Sequence, residues 1–511
     1  MKSRLVWGAV PGAAWVLAFA PFSWWWVGLG LPLLVPLMLR RDTPQSAFWL
    51  GLGFGTSAFA VGVHWLYVSL NHYGGLPAPL AVLSIAVFAL YLGLYTGLAS
   101  ALYVKFRAPG APLLNAALWA ALWTLAEWCR STLFTGFAWL NLGDALVDSP
   151  FAVLLPWLGG SALSFLLLWM GGLLVSILLA VVQRERVSPL ALVGLLTLGV
   201  GLSILGPQRP VTHTSGYLDV AGVQTNVDQS IKFDPDRIVS NMQQAFELGD
   251  LASQQLPEGG LLVFPETVNP LVWADTPNVW RERFRDFAKP GHTGVLMGSA
   301  TQDGYDYFNS IVLLRGQETG EALLVPTERH DKRHLVPFGE FIPWGFQWFV
   351  SLMNIPLGEF SRGSGPLRTL EFNGQRMAAT VCYEDIFSSE LVALIQSADH
   401  EPTVLVNLSN LAWFGQTWAL DQHAQIGRTR SAELAKPGLR VTNTGLSGVV
   451  GPDGQWLTQA ERGQAVVWRA RIEGRKGATL FSRIGTWLWW TLCALALGAA
   501  FHRITRVRPI S

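Results

Sequence analysis

Residues 1–205 form a nearly continuous series of apolar stretches, each long enough to cross a bilayer, and this constrains the fold more than anything else in the 511-residue chain. In hydrocarbon every backbone N–H and C=O must find its partner within the protein, so such stretches form helices. Seven helices are predicted there, near 6–20, 22–39, 46–69, 78–104, 112–129, 151–182 and 189–206, with an eighth near 484–501. The first is short and follows Lys2 and Arg4, as a signal peptide would, but no small-residue cleavage site follows it. It therefore reads as an uncleaved helix.

Basic residues then set an orientation. Lys2 and Arg4, Arg40 and Arg41, Lys105 and Arg107, Arg184 and Arg186, and Arg503, Arg506 and Arg508 fall at every second boundary, and the intervening short loops hold only Arg130. The positive-inside rule then predicts cytoplasmic termini and puts residues 207–483 on the opposite, extracytoplasmic side. The expected organisation is a membrane domain over 1–206, an extracytoplasmic domain over 207–483, and an eighth helix with a basic tail over 484–511.

The segment 207–483 has a different character. It carries 24 lysines and arginines against 30 aspartates and glutamates, a mild acidic excess that gives no footprint for nucleic acid. Strands are predicted at 217–223, 260–264, 294–299, 309–315, 377–382, 403–408, 439–443 and 447–450, with helical patterns at 236–255, 279–288, 387–397 and 421–435. Strands alternating with helices indicate a layered α/β domain. Of the chain's three cysteines only Cys382 lies in this segment, so it has no partner there for a disulfide, although the extracytoplasmic side is oxidising in bacteria.

Three polar sites end apolar runs: Leu261-Leu262-Val263-Phe264-Pro265-Glu266, the stretch from Arg329 through Lys332 to Glu340, and Val381-Cys382-Tyr383-Glu384. Each alone has an ordinary reading: a helix-start carboxylate, a solvated basic face, a small buried hydrophobe. Together, Glu266, Lys332 and Cys382 resemble the catalytic triad of the nitrilase superfamily. The most specific part is Lys332-Arg333-His334-Leu335-Val336-Pro337-Phe338-Gly339-Glu340; Asn410-Leu411-Ala412-Trp413-Phe414-Gly415, Gln422-His423 and Arg428-Thr429-Arg430-Ser431-Ala432-Glu433 are also similar to it. With seven helices before and one after, and with Glu127-Trp128-Cys129-Arg130 and Thr135-Gly136-Phe137-Ala138-Trp139-Leu140, the chain resembles the apolipoprotein N-acyltransferase family along essentially its full length. Two positions depart from that pattern: Leu411 stands where aspartate is expected, and Phe233 where tryptophan often precedes Asp-Pro.

The resemblance implies a nitrilase-like αββα sandwich on an eight-helix membrane domain in the bacterial inner membrane. It implies acyl transfer from a phospholipid, phosphatidylethanolamine, to the N-terminal amine of a diacylglyceryl-cysteine apolipoprotein, with no metal or other cofactor. Cys382 would carry the acyl group as a thioester, its thiolate favoured by the Lys332 ammonium. Glu266 would serve as base, acid and base again, and Lys332 with the Tyr383 N–H would hold the oxyanion. Glu340 and Glu384 are either supporting carboxylates or ordinary surface ion pairs. The apolar stretch around Trp344 and Trp348 is either a core helix or an arm that dips into lipid. Glu127 and Arg130 could pair on one helical turn, or Arg130 could hold a phospholipid phosphate. Phe233 is placed among the substrate-handling residues. The rival readings are a membrane-tethered amidase of the same superfamily and a transporter or receptor whose outer domain only binds ligand.

Overall fold

A computed structural model describes residues 2–40, 42–205, 212–288, 293–315, 328–353, 359–364 and 367–507. The chain divides into two compact units, one of Met1–Leu66, Pro79–Arg209 and Arg483–Ser511 and one of Tyr67–Ala78 and Pro210–Ser482.

The first unit is helical. Its long helices are Lys2–Trp15, Trp25–Met38, Pro44–Gly62, Ala78–Phe106, Pro112–Thr132, Leu155–Val182, Pro189–Leu205 and Trp487–Val507, one in each predicted apolar segment. By length and composition Ala78–Phe106 and Pro150–Val182 can cross a membrane; Trp25–Met38 and Pro189–Gly201 are shorter apolar helices. Lys2–Trp15 and Pro44–Gly62 pack backbone to backbone: a Cβ at Gly8 would lie 2.0 Å from the Leu50 carbonyl oxygen, and one at Gly12 2.1 Å from that of Phe54. Small residues four apart permit that approach. The helix predicted over 46–69 stops at Gly62, and Val68–Tyr73 forms a separate wide turn that belongs to the second unit. There Ser69 Oγ donates to the Trp413 carbonyl at 2.7 Å and Tyr73 packs edge-on against Trp413, contacts that hydropathy does not encode.

The second unit is a sandwich of two sheets. One sheet has the order β13-β1-β2-β4-β5-β6, with β3 on β4, and comprises β1 (His213–Gln224), β2 (Gly260–Val263), β3 (Asn269–Val272), β4 (Thr293–Asp303), β5 (Asp306–Arg315), β6 (Arg329–Asp331) and β13 (Val466–Lys476). The other has the order β12-β11-β10-β9-β8-β7: β7 (Leu370–Phe372), β8 (Gln375–Val381), β9 (Val404–Ser409), β10 (Gly438–Thr442), β11 (Gly448–Val450) and β12 (Trp456–Gln459). Leu218, Val220, Leu261, Val263 and Ile311 of the first sheet share one core with Met377, Val381, Val406, Leu408 and Val441 of the second.

Helices Ile238–Ser253 and Asn278–Phe287 cover the outer face of the first sheet through Met242, Ala245, Phe284 and Phe287. Ser388–Ser397 covers the second through Leu391, Val392 and Leu394 against Ala378 and Leu405. This is the αββα layering that the resemblance implies. The central strands β2, β8, β9 and β10 run parallel to neighbours and are almost wholly buried, which is why they are legible as short, mostly apolar runs. β3, β6, β7, β12 and β13 were not predicted. β13, Val466–Lys476, mixes arginines and a glutamate into its length because part of it is open to water, and it pairs antiparallel with β1.

Candidate active site

Three sequence-predicted residues sit at the ends of strands in this sandwich. Glu266 follows β2 through Phe264 and Pro265, Lys332 follows β6 directly, and Cys382 follows β8 as the first residue of the turn Cys382–Ile386. Parallel strands leave their C-terminal ends as the place where loops converge, so residues distant in sequence meet there. Gly298 on β4 makes room for the first of them: a Cβ there would lie 2.5 Å from Glu266 Cα.

Lys332 is buried, and its ammonium lies 2.9 Å from Glu340 Oε1 and 3.8 Å from Glu266 Oε1. Asn309 spans the two carboxylates, its Nδ2 donating to Glu266 Oε1 and to Glu340 Oε1 at 2.8 Å each. The remaining oxygens are also held. Asn410 N–H donates to Glu266 Oε2 at 2.5 Å, and Val336 N–H to Glu340 Oε2 at 2.8 Å. Glu340 is thus a buried, fully engaged carboxylate rather than half of a surface ion pair.

Cys382 has φ +49°, in the left-handed region that non-glycine residues adopt at a cost of roughly 1–2 kcal/mol. Side chains around its carbonyl hold the turn. Asn407 Nδ2 donates to Cys382 O at 3.1 Å, and His423 Nε2 lies 3.2 Å from the same oxygen. Arg440 Nη2 is 2.7 Å from His423 Nδ1. A guanidinium only donates, so Nδ1 accepts and the ring proton sits on Nε2, facing the Cys382 carbonyl. Asp385 pairs with both Arg440 and His423; burial pushes its carboxyl up, but these two partners outweigh burial and hold it at about 2.

Glu384 ties two loops together. It accepts from Val381 N–H and Arg333 N–H at 2.6 Å each, from His334 N–H at 3.4 Å, and lies 3.0 Å from His330 Nε2. It too is buried, and against the upward push of burial these partners hold its carboxyl below the usual range. The Tyr383 ring packs edge-on against Phe387 and His334.

Electrostatic effects of both signs act on the Cys382 thiol. Burial raises the Cys382 thiol, Glu266 and Glu340 raise it further, and the lowering by Lys332 and by the Asn410 N–H does not offset them. The balance of these effects holds the Cys382 thiol above its ordinary range. Lys332 stays charged: burial pulls its ammonium down, but Glu340, Glu266 and Cys382 more than compensate and set it above its ordinary value.

The structure also brings in residues that the sequence reading did not select. Lys232 is buried, with Nζ 3.1 Å from the Glu266 carbonyl oxygen. Burial pulls its ammonium down to about 8, against the raising effect of Glu266 and Cys382. Asn410 links this edge to the site, its Nδ2 donating to Gln229 Oε1 at 2.9 Å. Asn309, Asp385 and Arg440 were likewise unremarked, since single polar residues ending or interrupting strands carry no spacing signal. Leu411 is buried beside Gly445. Phe233, which ends the short helix Gln229–Lys232, is 39% exposed.

The other predicted positions have different surroundings. Trp344 is 99% exposed and Trp348 63%, and only Gln347–Val350 of their segment is helical, so the segment is not a core helix. Arg130 belongs to the helical unit, where its guanidinium donates to the carbonyls of Phe137 at 2.7 Å and Trp139 at 2.5 Å and to Asn141 Oδ1 at 2.7 Å. Glu127 accepts there from Leu142 N–H at 2.9 Å and Trp123 Nε1 at 3.1 Å.

Comparison with known proteins bears on both units. Residues 11–173 match the apolipoprotein N-acyltransferase N-terminal domain family, and residues 219–474 match the carbon-nitrogen hydrolase family. The chain is 36% identical to the apolipoprotein N-acyltransferase of Bordetella bronchiseptica, over 98% of this chain and 97% of that one. It is 37% identical to that of Ralstonia nicotianae, over 96% and 90%. With that of Vibrio vulnificus it shares 33% identity over 98% and 97%.

Proposed function

Because the chain belongs to the apolipoprotein N-acyltransferase family, its chemistry is lipoprotein N-acylation, and we propose that it proceeds through a Cys382 thioester with a membrane phospholipid as donor. The observation that carries this reading is the shared, buried placement of Glu266, Lys332 and Glu340, with Cys382 close enough that all three charges act on its thiol.

In the first half-reaction the Cys382 proton passes to Glu266 as sulfur attacks the ester carbonyl carbon. The tetrahedral oxyanion is stabilised by the Lys332 ammonium and the Tyr383 N–H. The carbon–oxygen bond then breaks, and the lysophospholipid oxygen takes the proton from Glu266. In the second, the acceptor ammonium gives a proton to Glu266 and its nitrogen attacks the thioester carbon. The carbon–sulfur bond breaks to leave an amide. Of the two protons lost by nitrogen, one returns to sulfur and the other leaves to water. Dividing the transfer this way replaces one hard step, a neutral amine on an ester, by two easier ones.

The topology belongs to the same reading: eight spanning helices, both termini cytoplasmic, the sandwich on the periplasmic face of the bacterial inner membrane, and domains over 1–206, 207–483 and 484–511. Phosphatidylethanolamine is the donor and a diacylated apolipoprotein the acceptor, and both are lipid-anchored. The exposed rings of Trp344, Phe346 and Trp348 suit an arm that meets lipid, and Phe233 suits the substrate's approach.

The test is to incubate the enzyme with acyl-labelled phosphatidylethanolamine and no acceptor, then add a diacylated lipopeptide. Label should accumulate on Cys382 and move to the lipopeptide amine, and Cys382→Ala should do neither. Turnover by Cys382→Ala at the wild-type rate would sink the thioester, and acyl release to water without lipopeptide product would favour the amidase-type hydrolase.

A further inference from the structure

The reaction centre has a second lysine that the proposed chemistry leaves idle. Lys232 ends the helix Gln229–Lys232, is 6% exposed, and has the Glu266 carbonyl, at 3.1 Å, as its only hydrogen-bond acceptor among the described residues. An ammonium has three donors. Two of them therefore remain without a protein acceptor, in a buried site where such a charge is costly. Lys332 differs, being locked between two carboxylates.

Formal charges show what the second cation changes. Glu266 and Glu340 carry two negative charges and Lys332 one positive, so without Lys232 the centre is already negative before Cys382 ionises. Other charges nearby are spoken for. Glu384 is taken up by His330 and three main-chain N–H groups, and Asp385 by Arg440 and His423. With Lys232 charged the centre sums to zero. It stays at zero when the thiol proton moves to Glu266 and the negative charge passes to sulfur and then to the oxyanion.

We propose that Lys232 is a positioning residue of the reaction centre, whose ammonium, held on the Glu266 carbonyl, offsets the negative charge that develops at Cys382. The role in turnover rests on the acyl-transfer reading above; the effect on the thiol does not. The charges of Glu266 and Cys382 both act to raise Lys232, against the burial that brings its own titration down to about 8.

The experiment follows alkylation of Cys382 by iodoacetamide across pH 6–10 in the full-length protein, quantified on the Cys382 peptide so that Cys129 and Cys493 do not contribute. Wild type, Lys232→Met and Lys232→Arg are compared. In wild type the rate should rise with pH, pause near 8 as Lys232 loses its charge, and rise again. Lys232→Met should be about tenfold slower at pH 7, the equivalent of one pKa unit at the thiol, with no pause. Lys232→Arg, charged throughout, should keep the fast rate and also lack the pause.

A Lys232→Met profile that superimposes on wild type overturns the proposal. So does a uniform slowing that keeps the pause, or a Lys232→Arg variant as slow as Lys232→Met. If Lys232→Met does not accumulate, Lys232→Gln makes the same comparison. Acyl loading of the wild type is scored separately: a protein that shows the alkylation pattern but never loads acyl retains this role for Lys232 and loses the proposed function.

Discussion

Glu384 accepts the main-chain N–H of Arg333 at 2.6 Å, joining the turn that carries Cys382 to the segment that carries Lys332. The same carboxylate takes the Val381 N–H and lies against His330, so the two sheets are held together beside Cys382 and Lys332. Glu384→Gln turns an NH2 group towards donors. The expected cost is about 2–3 kcal/mol of stability, since a buried charged acceptor is lost to several donors. Acyl loading should fall further than the loss of folded protein explains, because Cys382 and Lys332 lose their common anchor. Thermal unfolding and acyl loading per folded enzyme measure the two effects. Equal losses in both would reduce Glu384 to a purely structural role.

Asp385 gives a pH signature with a fixed sign. Its folded carboxyl sits at about 2 against an ordinary 3.8, so its contribution is fully present above about 4 and is lost as pH falls towards 2. The window corresponds to about 2 kcal/mol. Asp385→Asn should be much less stable than wild type at pH 6, because Arg440 is left without its buried partner. That gap should narrow by about 2 kcal/mol as both proteins are taken below pH 3. Denaturant titrations at a series of pH values decide this, and a pH-independent gap would remove Asp385 as the titrating group.

The sequence exposes some of these relationships and conceals others for physical reasons. Strands buried on both faces, such as Gly260–Val263 and Val404–Ser409, are mostly apolar and stand out in any reading. Glu266 and Cys382 are legible because each closely follows such a run, and Lys332 because it opens the distinctive phrase that runs to Glu340. Their surroundings are not. Lys232, Asn309 and Asp385 matter through burial and distance, which no local pattern reports. The balance at Cys382 is hidden for the same reason: Lys332 lowers the thiol, while burial and two carboxylates raise it. Pro265 and Thr267 flank Glu266, yet the φ of +51° at Thr267 is visible only in three dimensions.

The exposed rings of Trp344 and Trp348 predict a separation of stability from lipid use. Neither indole packs in the core, so replacing both by Ser should change stability by no more than about 0.5 kcal/mol. An indole moved from water into a lipid interface contributes on the order of 2 kcal/mol. Acyl loading from vesicle phosphatidylethanolamine should therefore drop at least about tenfold, while iodoacetamide alkylation of Cys382 stays unchanged. Unaltered loading from vesicles would show that the segment does not meet lipid.

Lys332 carries the sharpest separation of folding from chemistry. It is 1% exposed and bridges towards Glu340 at 2.9 Å and Glu266 at 3.8 Å, while Asn309 brings those two carboxylates to one amide. Its ammonium is set above its ordinary value, so its stabilising effect is complete at neutral pH and is lost only as pH rises beyond the usual lysine range. Lys332→Met at pH 7 leaves two buried carboxylates facing one another, at an expected cost of about 3–5 kcal/mol. Adding Glu340→Gln removes one of those charges and should restore part of the stability. It cannot restore the cation that the proposed mechanism sets opposite the oxyanion, so acyl loading should stay at least about a hundredfold below wild type. Measured together, unfolding and loading must diverge in the double variant. Recovery of both would mean that Lys332 supports only the fold, and recovery of neither would mean that the like-charge pair is not what destabilises the single variant.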